Sequence, residues 1–221
     1  MIGFRIGSVA RKVDSVVVEK FRTLPVSNVS DCMARMSGFG AEIRPYHRSG
    51  TLAGTAVTVR SRPGDNLMIH KALDMAGPGD VLVVDAGGDL SNSLMGELML
   101  SYAIKRGLAG VVLNGAVRDL GWIKERDFPV FAAGVTHRGP YKDGPGEINL
   151  PICISGNVVH PGDLIIGDDD GVLSVAFDDV DTVFAAASKK HEAETRQFAA
   201  IEAGTNDRSW VDEALRRQGV L

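Results

Sequence analysis

Residues Val81-Leu82-Val83-Val84-Asp85 form an unbroken apolar run closed by a carboxylate. A strand with no polar alternation is one buried on both faces, so it needs a layer of structure on each side. A second run, Val111-Val112-Leu113, follows after a helical pattern from Gly96 to Gly107. Parallel strands are joined by a crossover, usually a helix, and strand–helix–strand in this order is that arrangement. These two runs commit the middle of the chain to a layered α/β sheet.

The flanking segments fit around that sheet. Asp14 to Arg22 reads as a short amphipathic helix ending before Pro25. Ser27 is read as the N-cap of a second helix through Met36, with Val29, Cys32, Met33 and Met36 on one face. Pro45 to Gly50 is a loop, and the β-branched, alternating Thr51 to Arg60 is a strand. After the turn Pro63-Gly64-Asp65, Asn66 is expected to cap a helix carrying Leu67, His70, Leu73 and Met75. The turn Pro78-Gly79-Asp80 leads into the first apolar run, which Gly87-Gly88 ends. The second run is expected to stop at Asn114-Gly115, before a helix over Leu120 to Glu125 and a strand from Pro129 to Ala132.

Gly134 to Gly146 is polar and rich in Gly and Pro, a loop expected to be mobile or to cross to a neighbouring subunit. Ile148 to Ile154 and Val158-Val159 read as strands. Leu164 to Ile166 and Val172 to Phe177 pair as a hairpin across Gly167-Asp168-Asp169-Asp170-Gly171. The β-only character after residue 146 suggests a second small sheet. Asp178 to Ala203 is a long helix, with Asp178 or Asp179 in its first turn and Gly204 as its stop. Its apolar positions, Val180, Val183, Phe184 and Ala187, thin out after Ser188, so the second half is expected to project and meet a partner. A last amphipathic segment covers Trp210 to Arg217.

The 221 residues fit one domain, with a core over 25–177 and a helical extension over 178–221. A formal net charge of -4 carries no basic footprint, which argues against nucleic acid as a partner. No apolar run approaches the roughly 20 residues of a membrane helix, and Met1 to Ala10 has no signal-peptide core. Cys32 and Cys153 lie far apart without metal or redox spacing, consistent with a reducing, cytoplasmic setting. Cys32 reads as a small core residue.

Chemistry concentrates between residues 92 and 119. A glycine opens a helix at Gly96, Glu97 lies in its first turn, and Arg118-Asp119 follows the next strand. A helix N-terminus offers free N–H groups and the positive end of its dipole, which suits an anion. A guanidinium and a carboxylate returning to that region make it a site for a small anion that could also hold a metal.

Five blocks occur in one order: Asp65-Asn66-Leu67-Met68-Ile69-His70, Pro78 to Asp85, Gly96-Glu97-Leu98-Met99, Gly115-Ala116-Val117-Arg118-Asp119, and Pro161-Gly162-Asp163 with Gly167 to Val172. Together, from about Ser27 to Gly204, they resemble the family of 4-hydroxy-4-methyl-2-oxoglutarate aldolases, which also contains the regulators of ribonuclease E activity called RraA. The resemblance implies a β/β/α layered domain with a trailing C-terminal helix, assembled as homotrimers or homohexamers with sites at subunit interfaces. It implies a divalent-metal (Mg or Mn) class II pyruvate aldolase acting on a small oxo acid, with oxaloacetate decarboxylation as a side activity.

Carried over residue by residue, it implies that Asp119 holds the metal and Arg118 contacts the pyruvyl oxygens. It implies that the backbone of Gly96, Glu97, Leu98 and Met99 binds the substrate carboxylate. Glu97, where such aldolases often carry Asp, is a further acid or base. Glu194 is similar to a glutamate sent into the neighbour's site, with Glu192 as the alternative if the register slides. Asn66 and His70 fall near the pocket without a fixed role. The run Asp168-Asp169-Asp170 lacks the spacing of a calcium loop and reads as a tight turn. Regulator-type members tend to lack the trailing helix, so its presence favours the enzyme over a non-catalytic regulator that binds an RNA-processing enzyme. A related enzyme for another small oxo acid is a third reading, its selectivity expected in the loop 134–146.

Overall fold

The computed structural model describes residues 2–221. In chain order, strand β1 (Phe4–Ile6) precedes helices α1 (Ser15–Phe21) and α2 (Val26–Cys32). Then come β2 (Arg44–Pro45), β3 (Leu52–Ser61), α3 (Leu67–Met75), β4 (Asp80–Asp85), β5 (Ser93–Met95), α4 (Glu97–Lys105), β6 (Gly110–Val117), α5 (Leu120–Lys124) and β7 (Val130–Val135). The β-rich stretch holds β8 (Gly146–Ile148), β9 (Ile152–Ile154), β10 (Asn157–Val159), β11 (Leu164–Asp168) and β12 (Gly171–Val175). A 3₁₀ turn (Phe177–Asp179) leads into α6 (Val180–Glu202), and α7 (Ser209–Arg217) is the last element.

The two apolar runs do form adjacent parallel strands. β3, β4, β6 and β7 lie side by side and parallel, with Val57 opposite Leu82, Leu82 opposite Val111, and Val111 opposite Val130. Successive side chains of a strand point to opposite faces. Leu82, Val84, Val111, Leu113, Val130 and Ala132 therefore share a core with Ile69 and Leu73 of α3, Leu100 of α4 and Ile123 of α5. Val81, Val83, Val112 and Phe131 point the other way, into a core closed by Phe39, Ile43, Ile152, Ile154 and Val159. The second face is thus covered by the β9–β10 hairpin and residues 39–43, which yields the β/β/α layering. A third core joins α1, α2 and the start of α6 to β11 and β12, with the Phe21 and Phe184 rings 5.3 Å apart.

Several local expectations change. The second helix starts one residue before Ser27 and ends at Cys32, because Ala34 and Arg35 adopt positive φ (56° and 61°) and turn the chain; Met36 is exposed. β3 is not half-buried: nine of its ten residues are buried, since it pairs with β4 on one side and with β8 and β11 on the other. β6 does not stop at Asn114-Gly115 but runs on to Val117, absorbing the pair in a register shift between Leu113 and Ala116. The segment Ile148 to Ile154 is two strands broken at Asn149, which has φ 54°. Only β9 and β10 make a separate sheet; β8, β11 and β12 join the main one through β3. The strands β1 and β5 had no clear signal in the sequence, being three residues each.

The trailing helix divides as its composition suggests. Val180, Val183 and Ala187 are buried, nothing in its second half is, and Phe198 and Ile201 are exposed. No residue of α7 is buried. No helix of the described residues is long and apolar enough to cross a membrane.

Phe131 is fully buried at the centre of the second core. Phe131→Ala should lower unfolding free energy by about 3–5 kcal/mol through lost burial and a residual cavity. Denaturant titration checks this, with an unchanged m-value showing that only stability moved.

Candidate active site

The parallel strands β4 and β6 end on the side where α4 begins, the edge at which open α/β sheets usually bind ligands. β5 adds to β6 at this end, with Ser93 opposite Ala116, and Gly96 carries the chain from β5 into α4. Arg118 and Asp119 leave β6 at the same level. The Arg118 N–H donates to Met95 O at 3.0 Å, and the Glu97 N–H donates to Asp119 Oδ2 at 2.8 Å. Asp119 holds a left-handed backbone (φ 60°, ψ 42°), a conformation that Asp tolerates better than most residues. Gly96 is required by space: a Cβ there would lie 2.3 Å from Asp119 Oδ2 and 2.7 Å from Arg118 Cγ. Residues 96, 97, 118 and 119 therefore meet.

One detail differs from the expected carboxylate cradle. The Glu97 amide is already taken by Asp119, so Asp119 caps α4 across 22 residues of chain. The amides of Leu98 and Met99 take no partner among the described residues, and Leu100 N bonds back to Gly96 O. The free part of the helix terminus is thus the pair Leu98–Met99. Arg118 Nε stands 3.7 Å from Asp119 Oδ2, with both side chains about 40% exposed, and Asp119 Oδ1 accepts no hydrogen bond among the described residues. The Glu97 side chain is exposed and forms no hydrogen bond among the described residues.

A cavity of about 120 Å³ opens at this point, lined by Gly96, Leu98, Met99 and Arg118. Asn66 and His70 of the α3 region and Pro140 and Lys142 of the loop between β7 and β8 line it too. That volume is below the roughly 300–1,000 Å³ of pockets for drug-sized ligands and suits a small organic acid rather than a nucleotide. Asn66 is buried and does not cap α3 as expected: its Nδ2 donates to Leu94 O at 2.9 Å, and Asp65 Oδ1 takes the Leu67 N–H instead. His70 sits at the cavity mouth, open to solvent on one edge. Desolvation on the other edge lowers its pKa below the ordinary 6.5, the charge of Lys142 lowers it further, and Asp74 opposes both.

Lys142 escaped the sequence reading. A lysine in a Gly/Pro-rich loop carries no local signal, and only the path of the loop brings it to the cavity. Residues 136–145 are not free: Ser93 N and Oγ donate to Arg138 O (2.8 and 3.0 Å), and Tyr141 N donates to Gly64 O (2.9 Å). The loop thus lies on its own chain as a wall. Lys142 has no carboxylate partner among the described residues.

Glu194 is not in its own chain's cavity. Lys190, one helical turn away, holds it at 2.9 Å and also reaches Asp31 of α2 at 3.1 Å. This pairing with Lys190 chiefly lowers the Glu194 pKa. The amide of Asn28 lies close enough to contribute, but its Nδ2 is left without a well-formed hydrogen bond. Glu192 is exposed on the same helix. No cluster of three or more His, Cys, Asp or Glu side chains able to hold a metal occurs among the described residues.

Comparison with known proteins gives the family and the fold. The Aldolase/RraA family pattern, described as RraA-like, matches residues 26–174. A protein of Halalkalibacterium halodurans, provisionally named a 4-hydroxy-4-methyl-2-oxoglutarate aldolase, is 38% identical over 184 residues, covering 83% of this chain and 88% of its own. A crystal structure titled as an uncharacterized protein from Pseudomonas syringae pv. tomato shares the fold with TM-score 0.79 at 23% identity, over 87% of this chain and 95% of that one. The structure titled as the RNA-processing inhibitor RraA from Thermus thermophilis matches with TM-score 0.63 at 32% identity, over 68% and 92%.

Two measurements test the site's geometry. Gly96 has φ -151°, which alanine adopts freely, so the strain of Gly96→Ala falls on Asp119 and Arg118. The variant should lose the Asp119 cap of α4 at a cost of about 0.5–2 kcal/mol, and a structure of it should show Asp119 displaced from Glu97 N. For His70, the folded state favours the neutral ring. Its contribution to stability is intact above the unfolded-state value near 6.5 and is lost as pH falls through that value toward the folded one, because the unfolded chain binds the proton first. In an NMR titration the His70 midpoint should lie below 6.5 and rise in Lys142→Met; an unmoved midpoint would show that Lys142 does not face His70.

Proposed function

The chain belongs to the RraA-like (Aldolase/RraA) family, and from that premise we propose that it is a carbon–carbon lyase: a divalent-metal-dependent pyruvate aldolase. Its substrate in this reading is 4-hydroxy-4-methyl-2-oxoglutarate or a related 4-hydroxy-2-oxo acid, with oxaloacetate decarboxylation as a side activity. The observation that carries the reading is the junction of Gly96, Glu97, Arg118 and Asp119 at the mouth of a small cavity. Gly96, Leu98, Met99 and Arg118 line that cavity; Glu97 and Asp119 lie beside them at the same junction without lining it, and Asp119 keeps one oxygen without a partner among the described residues.

Fit to a metal is judged on Asp119. One carboxylate oxygen caps α4 and the other has no partner, so a hard cation such as Mg or Mn that takes few protein carboxylates and keeps its waters suits the site. When bound, the cation would supply Lewis-acid stabilisation of charge on the substrate's carboxylate and keto oxygens.

The protein's own groups then divide the work. The amides of Leu98 and Met99, at the positive end of α4, hold the C1 carboxylate. Arg118 places fixed positive charge where the keto oxygen becomes negative as the C3–C4 bond breaks. Glu97 takes the C4 hydroxyl proton through a water, the C4–O bond becomes a carbonyl, and the C3–C4 electron pair moves into the enolate. A water beside Arg118 returns a proton to C3 and pyruvate leaves. Lys142, which lines the same cavity as Arg118, pairs with the second carboxylate of a dicarboxylic substrate. Glu194 lies away from the cavity of its own chain, paired with Lys190; in this reading it leaves that pair to enter the site of a second copy, in a trimer or hexamer. Both cysteines are free, which suits action in a reducing cytoplasm.

The likeness to a protein titled as an RNA-processing inhibitor supports a second reading, a non-catalytic regulator that binds an RNA-processing enzyme. One experiment separates the two. Pyruvate release from 4-hydroxy-4-methyl-2-oxoglutarate and from oxaloacetate is followed with Mg, with Mn and with EDTA. Turnover should need the metal. Asp119→Asn, which keeps an oxygen for the Glu97 amide but loses the charge, should reduce it at least about 100-fold. Absence of metal-dependent turnover, together with a stoichiometric protein partner in pull-down, would favour the regulator.

A further inference from the structure

Asp65 is fully buried, yet it lies outside the cavity. Its carboxylate is enclosed by backbone donors from two different walls of that cavity. Oδ1 accepts the Leu67 N–H at 2.9 Å, at the start of α3. Oδ2 accepts the Asp143 N–H at 2.7 Å and the Gly144 N–H at 2.9 Å, in the loop that carries Pro140 and Lys142. Arg62 approaches more loosely at 3.4 Å. The backbone follows the same seam: Asn66 N donates to Tyr141 O at 3.0 Å, and Arg62 N to Pro145 O at 3.1 Å.

We propose that Asp65 is a positioning residue: it ties the loop 141–144 to the start of α3 and thereby sets Lys142 in the lining of the cavity that Arg118 also lines, selecting dicarboxylic over monocarboxylic oxo acids. A carboxylate can accept all three N–H groups at once, which no neutral side chain of this size can do. Replacing it by an amide turns one acceptor into a donor facing N–H groups, and a buried donor without an acceptor is costly. The loop would then move away from α3. The Arg118 backbone, tied to Met95 O, and the amides of Leu98 and Met99 in α4 would stay in place. The consequence is selective: the end of the cavity that receives the first carboxylate is kept, and the end that receives the second is loosened.

This inference rests on the oxo-acid reading above, and the test is built so that the two can fail separately. Binding of 2-oxoglutarate and of pyruvate is measured by calorimetry on the full chain, with the metal present, for the wild type, Asp65→Asn, Lys142→Met and the double variant. Asp65→Asn should weaken 2-oxoglutarate by about tenfold and pyruvate by less than about twofold. In the Lys142→Met background, Asp65→Asn should add almost nothing, because the charge it positions is gone. Equal losses for both ligands, or losses that multiply in the double variant, would overturn the proposal and leave Asp65 a general scaffold residue. If Asp65→Asn does not fold, amide exchange of the wild type decides: Asp143 and Gly144 should be protected above their loop neighbours, and fast exchange at both would refute the tie. Lack of aldol cleavage by the wild type, with selective binding intact, would count against the catalytic reading and not against this one.

Discussion

A single carboxylate oxygen sits where the end of β6 meets the start of α4. Asp119 Oδ2 takes the first free amide of α4 at 2.8 Å, and the absence of a side chain at Gly96 leaves the room for it. The bond spans two elements that the chain separates by 22 residues, and it needs Asp119 in a left-handed backbone conformation. Everything that the site can do follows from that contact. It orients the carboxylate so that its other oxygen remains free, brings Arg118 beside it, and leaves the amides of Leu98 and Met99 as the open part of the helix terminus. A helix dipole alone favours an anion only weakly at a wet surface. A guanidinium and two aligned N–H groups around a cavity of about 120 Å³ are a far more selective arrangement.

The scaffold behind this junction is rigid for a simple reason. Alternate residues of four parallel strands enter two different cores, one under α3, α4 and α5 and one under the β9–β10 hairpin. A slip by one residue in any of these strands would exchange the two sets, so the register is strongly specified. The ends of β4 and β6 are therefore placed by buried Val, Leu and Phe contacts far from any ligand. The loop over the cavity has no such core. It is held by polar contacts instead, to Asn92 and Ser93 at one end and to Asp65 at the other. Rigid strand ends and a polar-tethered loop thus line one cavity.

Much of the fold could be read from residue order. The apolar runs at 81–84 and 111–113 are the adjacent parallel strands they promised, and the helix between them starts at Gly96 and ends before Gly107. The polar second half of the long helix is indeed without buried residues. Misreadings occurred where a local signal competed with a distant contact. Asn66 has the composition of a helix cap, yet Asp65 does the capping, because the Asn66 amide is drawn to Leu94 O. Asn114-Gly115 looks like a strand end, yet pairing with β7 carries β6 through it. The helix from residue 26 is shorter than its apolar spacing suggests, since Ala34 and Arg35 take up left-handed conformations that nothing in their side chains requests.

For the candidate site, residue types and order pointed to Gly96, Glu97, Arg118 and Asp119, and the structure brings these four together, because helix starts and strand ends obey local rules of hydrogen bonding and charge. What order could not supply is distance. That Asp119 occupies the Glu97 amide, that Lys142 reaches the cavity, and that Glu194 is bound to Lys190 rather than free are outcomes of packing between segments far apart in the chain. Short-range patterns record what each segment can donate, accept or bury. Which partner it meets is settled only when the sheet brings the strand ends together and the loops are left to satisfy their polar groups on whatever surface then lies beside them.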